Sequence, residues 1–276
     1  MVHTRHNPVG RGTYYLGSAA LAVVFLSPIV WTAYSSIHGR QAAAGGSGWG
    51  IDNYRRLADY GLGLTAYLRN TAVVSLIAVL VTVTTTTLGG YAVARFSFPG
   101  KNVLFLVTLA ILMVPYTTIL IPLYVLLGWI QLQNSLLGLG LVLAMFQLPF
   151  GLFMMRNSFE AIPIELEEAA LIDGCTPTSA LRHVLLRAVA PGMVTVALFS
   201  FLASWNEFVA PLIFLTDGSK FTLPLALFNL QSGNLGSVDF GALQSGVVAA
   251  AVPSVAVFLL LQRYYVRGFT AGALKG

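Results

Sequence analysis

The chain has 276 residues, of which 57% are hydrophobic and only 9% are charged, whereas an ordinary soluble domain has about 25% charged residues. This composition and a mean hydropathy of +0.79 exclude a water-soluble globule and predict an all-α membrane protein, because membrane helices pair their backbone groups within each apolar segment. The net charge of +5 does not indicate nucleic acid as a partner, because the cations flank hydrophobic segments and form no single patch.

Six segments are long and apolar enough to cross a hydrocarbon core of ~30 Å at ~1.5 Å per residue. The predicted spans are residues 15–37, 71–93, 103–127, 136–155, 193–215 and 240–261, in a single transmembrane domain over residues 1–276. The first apolar stretch is predicted to be retained as a span, because it is too long for the core of a signal peptide. Prolines inside several spans permit kinks.

The basic residues are distributed unequally between the two predicted sides of the membrane. With the N-terminus inside, ten Lys and Arg residues lie on the inner side and five on the outer side. The positive-inside rule therefore predicts that both termini are cytoplasmic. Residues 38–70 are predicted to be an external segment of partly interfacial character, and residues 216–239 an external loop.

The predicted cytoplasmic segment 157–190 holds five of the ten acidic residues. Pro163, the acids after it and Gly174 predict a short helix over residues 164–173. Thr176 as N-cap, with Pro177 after it, predicts a second helix to about Ala190, which Pro191 ends. The segment is thus a helix-turn-helix between spans four and five. An interfacial helix pair on the lipid surface is the alternative, but three acids in one turn favour a protein partner.

Residues 168–174, Glu-Ala-Ala-Leu-Ile-Asp-Gly, with Pro191 seventeen residues later, resemble the EAA loop of the membrane subunits of bacterial ABC importers. Four further matches in the same order are similar to carbohydrate permeases of the maltose-type second subunit. They are Tyr91–Phe96 with Phe98–Lys101, Met113–Pro115 with Ile121–Tyr124, Trp205–Phe208, and Gly268–Gly276. Two positions depart from the pattern: Cys175 stands where the family usually has Ala, and Leu186–Arg187 where it often has Leu-Pro.

The resemblance implies a permease subunit of an ATP-driven importer in the cell membrane, which with a second homologous permease forms the path for a di- or oligosaccharide or a sugar derivative. It also implies two cytoplasmic ATP-binding subunits, which hold ATP and magnesium, and an external sugar-binding protein. By motif match the ATPase-coupling residues are Glu168, Ala169, Ala170, Asp173 and Gly174, and a weaker tail contact is formed by Gly272, Lys275 and Gly276. The chain itself is expected to bind no cofactor or metal and to catalyse no reaction.

Polar residues inside the predicted spans are candidates for the translocation path. Glu207 lies near the middle of span five, where a lone carboxylate costs ~2.5–3.5 kcal/mol on insertion scales and should therefore face protein or water. Asn206 and Trp205 are adjacent to it, and Gln147 and Tyr116 lie beside prolines of spans four and three. The alternative is that Glu207 bonds to the backbone or to the partner permease and never meets substrate.

The sequence shows no nucleophile with a base partner and no metal-ligand spacing among its four histidines, and residues 99–102 lack the pattern of a phosphate loop. Three rival hypotheses are a secondary transporter working as a dimer, a membrane-embedded enzyme, and an ABC importer for substrates of the glycerol-phosphate type. Arginine outnumbers lysine twelve to three, which is an associational indication of an actinobacterial source.

Overall fold

A computed structural model describes residues 8–38, 49–233 and 239–273 of the chain, with side chains described between residues 14 and 262 of these ranges. The chain is helical over these ranges. Its described part contains no β-strand, only an isolated bridge between His38 and Trp49. The all-α prediction is therefore confirmed.

The described residues form thirteen α-helical segments, several of them short. The first six are α1 (Pro8–Ile37), α2 (Asp52–Asp59), α3 (Leu64–Arg95), α4 (Lys101–Ala110), α5 (Tyr116–Trp129) and α6 (Leu136–Glu160). The others are α7 (Ile164–Ile172), α8 (Pro177–Ala180), α9 (Leu186–Ala188), α10 (Ala190–Trp205), α11 (Val209–Phe214), α12 (Leu223–Gln231) and α13 (Phe240–Ala273). Turns of 3-10 helix cover Ile111–Met113 and Gly218–Lys220, and a π-helical turn covers Leu181–Leu185.

Four of these helices, α1, α3, α6 and α13, are long and apolar enough to cross a membrane alone. Two further candidate spans are bent pairs of helices. The helical stretch Lys101–Met113 meets α5 at 105°, and the stretch Pro177–Ala188 meets α10 at 71°. When each bent pair counts as one span, the described residues contain six.

The span predicted over residues 103–127, whose prolines permit a kink, is broken into two helical stretches. The helical stretch that begins with α4 stops at Met113, and α5 starts at Tyr116. Between them Val114 is in an extended conformation. Proline has no N–H to continue the helical hydrogen bonds, and it disfavours a helical conformation in the residue before it. The break therefore follows from Pro115.

The two halves of this broken span still run the length of α6. Near the start of α4, the ring of Phe105 lies 4.2 Å from the guanidinium carbon of Arg156, close to the end of α6. Asn134, just before α6, accepts hydrogen bonds from the backbone N–H groups of Thr216 and Asp217. We call the end of the bundle near Arg156 the loop end, and the end near Asn134 the opposite end.

The fifth predicted span, residues 193–215, is also broken, because three non-helical residues, 206–208, separate α10 from α11. Pro211 has no N–H to donate to the carbonyl of Glu207. The carboxylate of Glu207 instead accepts hydrogen bonds from the first two N–H groups of α11. Glu207, predicted near the middle of span five, therefore lies in the break of that span.

The two segments predicted to be external, residues 38–70 and 216–239, both contain short helices at the opposite end, α2 and α12. The prediction of a simple loop for the second segment is wrong in this respect. The side-chain amide of Asn70 donates to the carbonyls of Ser219 and Phe221 at 2.9 and 3.0 Å. These hydrogen bonds fasten the start of the second segment to α3.

Clusters of buried apolar side chains hold the bundle together. The largest cluster joins α3, α5, α6 and α11 and includes Val74, Leu139 and Phe214. A second one at the loop end joins α6 to residues 181–196 and includes Phe159 and Leu185, both fully buried. The long helices and the 157–190 segment are therefore packed into one body.

Helices α3 and α6 approach each other closely at a glycine. A Cβ atom at Gly90 would lie 2.6 Å from the Cβ atom of Met155 and 2.9 Å from the backbone nitrogen of Arg156. Small residues at such contacts let helix backbones approach in membrane proteins. The distance between α3 and α6 is thus set by the absence of a side chain at Gly90.

Replacing Gly90 by valine is expected to destabilise the protein by ~1–3 kcal/mol, because overpacking forces α3 and α6 apart. The measurement is the apparent Tm of the purified protein in detergent. Gly17→Val in α1 is the matched control, because no atom lies within 4 Å of a Cβ at that position. An equal change of Tm in both variants would contradict this account of the contact.

Candidate functional site

A cavity of about 270 Å³ lies between the two helix breaks. Its walls come from the break before α5, from α6, and from the break after α10. The lining residues are Ile111, Leu112, Val114, Tyr116, Ile119, Leu143, Phe146, Gln147, Pro149, Ala203, Ser204 and Glu207. Residues 143–149 are near the middle of the 25-residue helix α6, so the cavity lies about midway between the two ends of the bundle.

Glu207 is fixed at the edge of this cavity by hydrogen bonds. Its Oε1 atom accepts from the N–H groups of Val209 and Ala210 at 2.9 and 3.0 Å. The Tyr116 side chain, from the other broken span, lines the same cavity. Backbone bonding and a position in the cavity, which the sequence analysis treated as alternatives, therefore occur together in Glu207.

Tyr116 and Gln147 join Glu207 in the cavity lining, so three of the five residues predicted for the translocation path lie together. The ring of Tyr116 packs edge-to-face on Phe146, with ring centroids 5.5 Å apart. Gln147 comes from α6. The structure thus brings together polar side chains that are distant in the sequence.

Trp205 and Asn206 are not among the cavity-lining residues. The indole N–H of Trp205 donates to the carbonyl of Ala250 in α13 at 2.9 Å, and the side chain is buried. The amide of Asn206 donates to the carbonyl of Leu202 at 2.8 Å. The bond to Ala250 holds Trp205 against α13, whereas Asn206 is exposed. The predicted role of both residues in the path stays a prediction.

Ser204 lines the cavity and was not singled out in the sequence. Its hydroxyl donates to the carbonyl of Ser200 at 2.7 Å within α10. Serine bonds of this kind are common in membrane helices, so the residue type alone gave no signal. Its position one turn before the break in α10 is what places it at the cavity.

The chemistry of the cavity is that of a neutral polar ligand site. Most of its lining is apolar, and its polar groups are a carboxylate, an amide, a phenol and a hydroxyl. Among the described residues that line it, none is Lys, Arg or His. Such a set accepts and donates hydrogen bonds to neutral hydroxyl groups, whereas an anion would meet the uncompensated charge of Glu207.

A second candidate site is formed by α7 and the turn that ends it. Gly174 has φ +85°, as predicted for the left-handed end of a helix. The N–H of Cys175 donates to the carbonyl of Ala170, and the N–H of Gly174 to that of Leu171, both at 3.0 Å. This pair of bonds is a Schellman motif, which leaves the turn at the surface of the loop end.

The predicted coupling residues differ in exposure. Glu168, Ala169, Asp173 and Gly174 are exposed. Ala170 is buried, because its side of α7 faces the helices behind it. Of the two predicted coupling alanines, only Ala169 is therefore exposed.

The rest of the 157–190 segment follows the prediction in part. Thr176 accepts a hydrogen bond from the N–H of Ser179 at 3.3 Å, as an N-cap does. The predicted helix to Ala190 contains a π-helical turn and stops at Ala188. Pro191 lies in the first turn of α10 instead of ending the helix before it, since proline at that position loses no hydrogen bond.

Sequence reasoning missed a buried ion pair between α3 and α7. The Nε atom of Arg95 lies 3.1 Å from Oε2 of Glu167. The hydroxyl of Tyr91 donates to Oε1 of the same carboxylate at 2.8 Å. Two features of the sequence could have indicated this pair. Arg95 stands at the end of an apolar span, and Glu167 is one of three acids in a single turn of α7.

The predicted tail contact falls mostly outside the described residues. Lys275 and Gly276 of the predicted tail contact are outside the described residues, and at Gly272 only the helical backbone of α13 is described. Within the described ranges, no group of three or more His, Cys, Asp or Glu side chains is placed to hold a metal ion.

Comparison with known proteins gives a family match over most of the chain. The family described as "binding-protein-dependent transport system inner membrane component" matches residues 85–270. The trehalose/maltose transport system permease protein MalG of Thermococcus litoralis is 32% identical over 269 residues, which cover 95% of each chain. The trehalose transport system permease protein SugB of Mycobacterium tuberculosis is 32% identical over 96% of this chain and 98% of that protein.

Solved structures share the fold. A chain from the crystal structure of a bacterial ABC transporter involved in the import of the acidic polysaccharide alginate superposes with a TM-score of 0.78 at 20% identity. The match covers 96% of this chain and 99% of that one. A chain of the bacterial alginate ABC transporter in complex with an alginate pentasaccharide-bound periplasmic protein superposes with a TM-score of 0.64 at 12% identity.

Proposed function

The chain belongs to the family of binding-protein-dependent transport system inner membrane components, and from this membership we propose that it is the permease subunit of an ATP-driven importer for a sugar. Its relatives are named as permeases for trehalose or maltose, for trehalose, and for diacetylchitobiose. The observation that carries the proposal is the mid-bundle cavity at the two helix breaks. Irregular backbone at membrane depth is tolerated where it is buried in protein or lines a cavity.

The cavity favours a neutral sugar over the glycerol-phosphate type of substrate. A sugar hydroxyl can donate to the free carboxylate oxygen of Glu207 and accept from the amide of Gln147. A phosphate monoester would bring up to two negative charges to a lining that has a carboxylate and, within the described residues, no cation. The substrate class we propose is therefore a neutral di- or oligosaccharide.

The exposed side of α7 is proposed to dock on an ATP-binding subunit. It presents Glu168 and Ala169 beside the apolar side chain of Ile172, which is 86% exposed. Ile164, Leu166 and Leu171 of the same helix are also exposed, and several exposed apolar side chains on one short helix are typical of a surface that a protein partner covers. In this proposal the partner subunits, not this chain, bind ATP and magnesium.

The remaining partners follow from the same proposal. A second homologous permease completes the path, two ATP-binding subunits drive it, and an external sugar-binding protein supplies the sugar. One solved relative is titled as a complex with a periplasmic protein, which supports the last of these. The tail around Gly272, Lys275 and Gly276 is proposed as a weaker contact with the ATP-binding subunit.

A secondary transporter would need no ATPase, so one experiment separates the two classes. The chain is co-expressed with a candidate second permease, ATPase and sugar-binding protein, and the complex is reconstituted in vesicles. We expect the ATPase to co-purify and sugar uptake to require ATP and the binding protein. Uptake driven by an ion gradient without ATP would overturn the proposal.

The proposed orientation predicts which cysteines an impermeant thiol reagent labels. Cys175 on the 157–190 segment is the single native cysteine, and it should stay unlabelled in sealed cells. In a Cys175→Ala background, a cysteine introduced at Ser232, exposed after α12 at the opposite end, should be labelled from outside. The reverse pattern would place both termini outside the cytoplasm.

A further inference from the structure

The ion pair of Arg95 and Glu167 joins the last residue of a long membrane helix to the exposed helix α7. The pair is buried, with side-chain exposures of 10% and 14%. The other ion pairs of the described residues are more exposed; Arg156–Glu160 at the end of α6, for example, has exposures of 23% and 43%. Arg95–Glu167 is therefore shielded from solvent and salt, which weaken surface pairs.

Three polar contacts fix the pair. Besides the 3.1 Å contact between the charges, Tyr91 donates to Glu167 at 2.8 Å. The Nη2 atom of Arg95 donates to the carbonyl of Ile162, between α6 and α7, at 2.9 Å. Tyr91 and Arg95 are four residues apart in α3 and so lie on one face. One face of α3 thus holds both the Glu167 side chain of α7 and the carbonyl of Ile162, which precedes α7 in the chain.

The other acids of α7 are not held in this way. Glu165 and Glu168 are exposed, and neither forms an ion pair with any described residue. Glu167 points to the bundle while its neighbours point away from it. The contact with Arg95 and Tyr91 therefore lies on the inward side of α7, away from its exposed acids.

Motion of α7 has a direct route to the cavity through this contact. Helix α3 packs along α6, as the close approach at Gly90 shows, and α6 contributes Leu143, Phe146 and Gln147 to the cavity lining. A displacement of α7 that keeps the buried pair intact must move the end of α3 with it. A coupling route needs a contiguous, rigid network of this kind.

We propose that Arg95, with Tyr91, is a positioning residue that locks α7 to α3 and transmits movement of α7 to the transmembrane helices. The proposal rests on the proposed function, because the movement is that of an ATP-binding subunit docked on α7. It assigns Glu167 an inward, mechanical role that differs from the docking role of its neighbour Glu168.

The test measures sugar imported per ATP hydrolysed by the reconstituted complex. Arg95→Glu and Glu167→Arg, each alone, should lower this ratio by about tenfold, the size of a coupling of ~1.4 kcal/mol between residues in contact. The double variant restores an ion pair of reversed polarity and should recover most of the ratio. ATPase pull-down should stay at the wild-type level in all three, because the outward side of α7 is unchanged.

A matched control keeps the test specific. The same exchange of charges at the exposed pair Arg55–Asp52, with side-chain exposures of 70% and 50%, should leave the ratio unchanged. Tyr91→Phe removes one hydroxyl and keeps the ring packing, so it should lower the ratio by a smaller factor at unchanged Tm. It also serves as the milder variant if the charge reversals fail to assemble.

The outcomes separate this proposal from the proposed function. If the wild-type complex imports no sugar with ATP, the proposed function fails. If the wild type is coupled and Arg95→Glu, Glu167→Arg and Tyr91→Phe are all equally well coupled, the positioning role is wrong and the importer stands. The positioning role is also wrong if Arg95→Glu fails to assemble, the double variant does not restore assembly, and Tyr91→Phe couples as well as the wild type.

Discussion

Replacing Gly174 by valine is expected to separate ATP hydrolysis from sugar uptake and to weaken binding of the ATP-binding subunit. Gly174 has φ +85°, where a side chain costs roughly 1–2 kcal/mol. No atom lies within 4 Å of a Cβ at this position, so within the chain the cost comes from the backbone conformation alone. If α7 docks on the ATP-binding subunit as proposed, the valine also occupies space that the docked subunit needs.

A matched control for the backbone strain is Gly100→Val. Gly100 lies between α3 and α4 near the loop end, has φ +81°, and likewise has no atom within 4 Å of a built Cβ. The two variants should therefore lose similar stability, while only Gly174→Val should lose the ATPase. Pull-down of the ATPase and uptake per ATP are the measurements.

Glu168→Lys tests the same surface by charge. It reverses the charge of an exposed acid on α7 and should weaken ATPase binding and lower uptake per ATP, as Gly174→Val should. The control Asp59→Lys reverses an exposed acid at the opposite end and should change neither quantity. If Gly174→Val and Glu168→Lys both retain full ATPase binding and coupled uptake, α7 is not the docking element.

Replacing Glu207 by leucine is expected to reduce sugar uptake by more than about tenfold. The change removes the acceptor of two N–H groups at the start of α11, and unpaired donors cost ~1–3 kcal/mol. It also removes the carboxylate from the cavity. Glu207→Gln keeps a carbonyl oxygen for the same N–H groups, so it should fold normally and lose less uptake.

The loss of the hydrogen bonds to α11 and the loss of a polar group from the cavity can be separated with a second residue of the cavity, Gln147. Gln147→Leu removes a polar group of the lining that caps no helix, and we expect reduced uptake at unchanged Tm. The measurement is uptake into reconstituted vesicles at equal protein content, with Tm recorded for each variant. Wild-type uptake in both Gln147→Leu and Glu207→Gln would leave Glu207 with a structural role only.

Local signals in the sequence predicted the 157–190 segment well. A glycine after an apolar turn and a Thr-Pro pair each act within four residues, and Gly174 and Thr176 do adopt the predicted conformations. The family was equally accessible, because its motifs are spread along the whole chain, and the match over residues 85–270 confirms it.

The helix breaks were less predictable, because proline alone does not distinguish a kink from a break. Helix α6 continues through Pro149 and α5 through Pro122, whereas the chain leaves the helix at Pro115. At residues 206–208 the break depends on the Glu207 side chain taking the N–H groups that the helix would otherwise use. Such competition depends on a rotamer, which the residue type does not determine.

Contacts between distant residues were beyond the sequence. Arg95 and Glu167 are 72 positions apart, and Tyr116 and Glu207 are 91 apart. The residues around each of these positions give no indication of which distant residue it contacts. Only the packing of α3 on α6, and of α5 on α11, brings these side chains together.

The breaks also distribute stiffness unequally within the bundle. Helices α3 and α6 are continuous over 32 and 25 residues, and a continuous hydrogen-bonded helix resists bending. The wall opposite them has a joint at Val114–Pro115 and another at 206–208. Beyond the joints, α5 and α11 share buried side chains, among them Leu120 and Phe214. The halves beyond the joints are therefore tied to each other, and the same apolar cluster ties both to the rigid pair, so a tilt about the joints must move them together and slide them over α3 and α6.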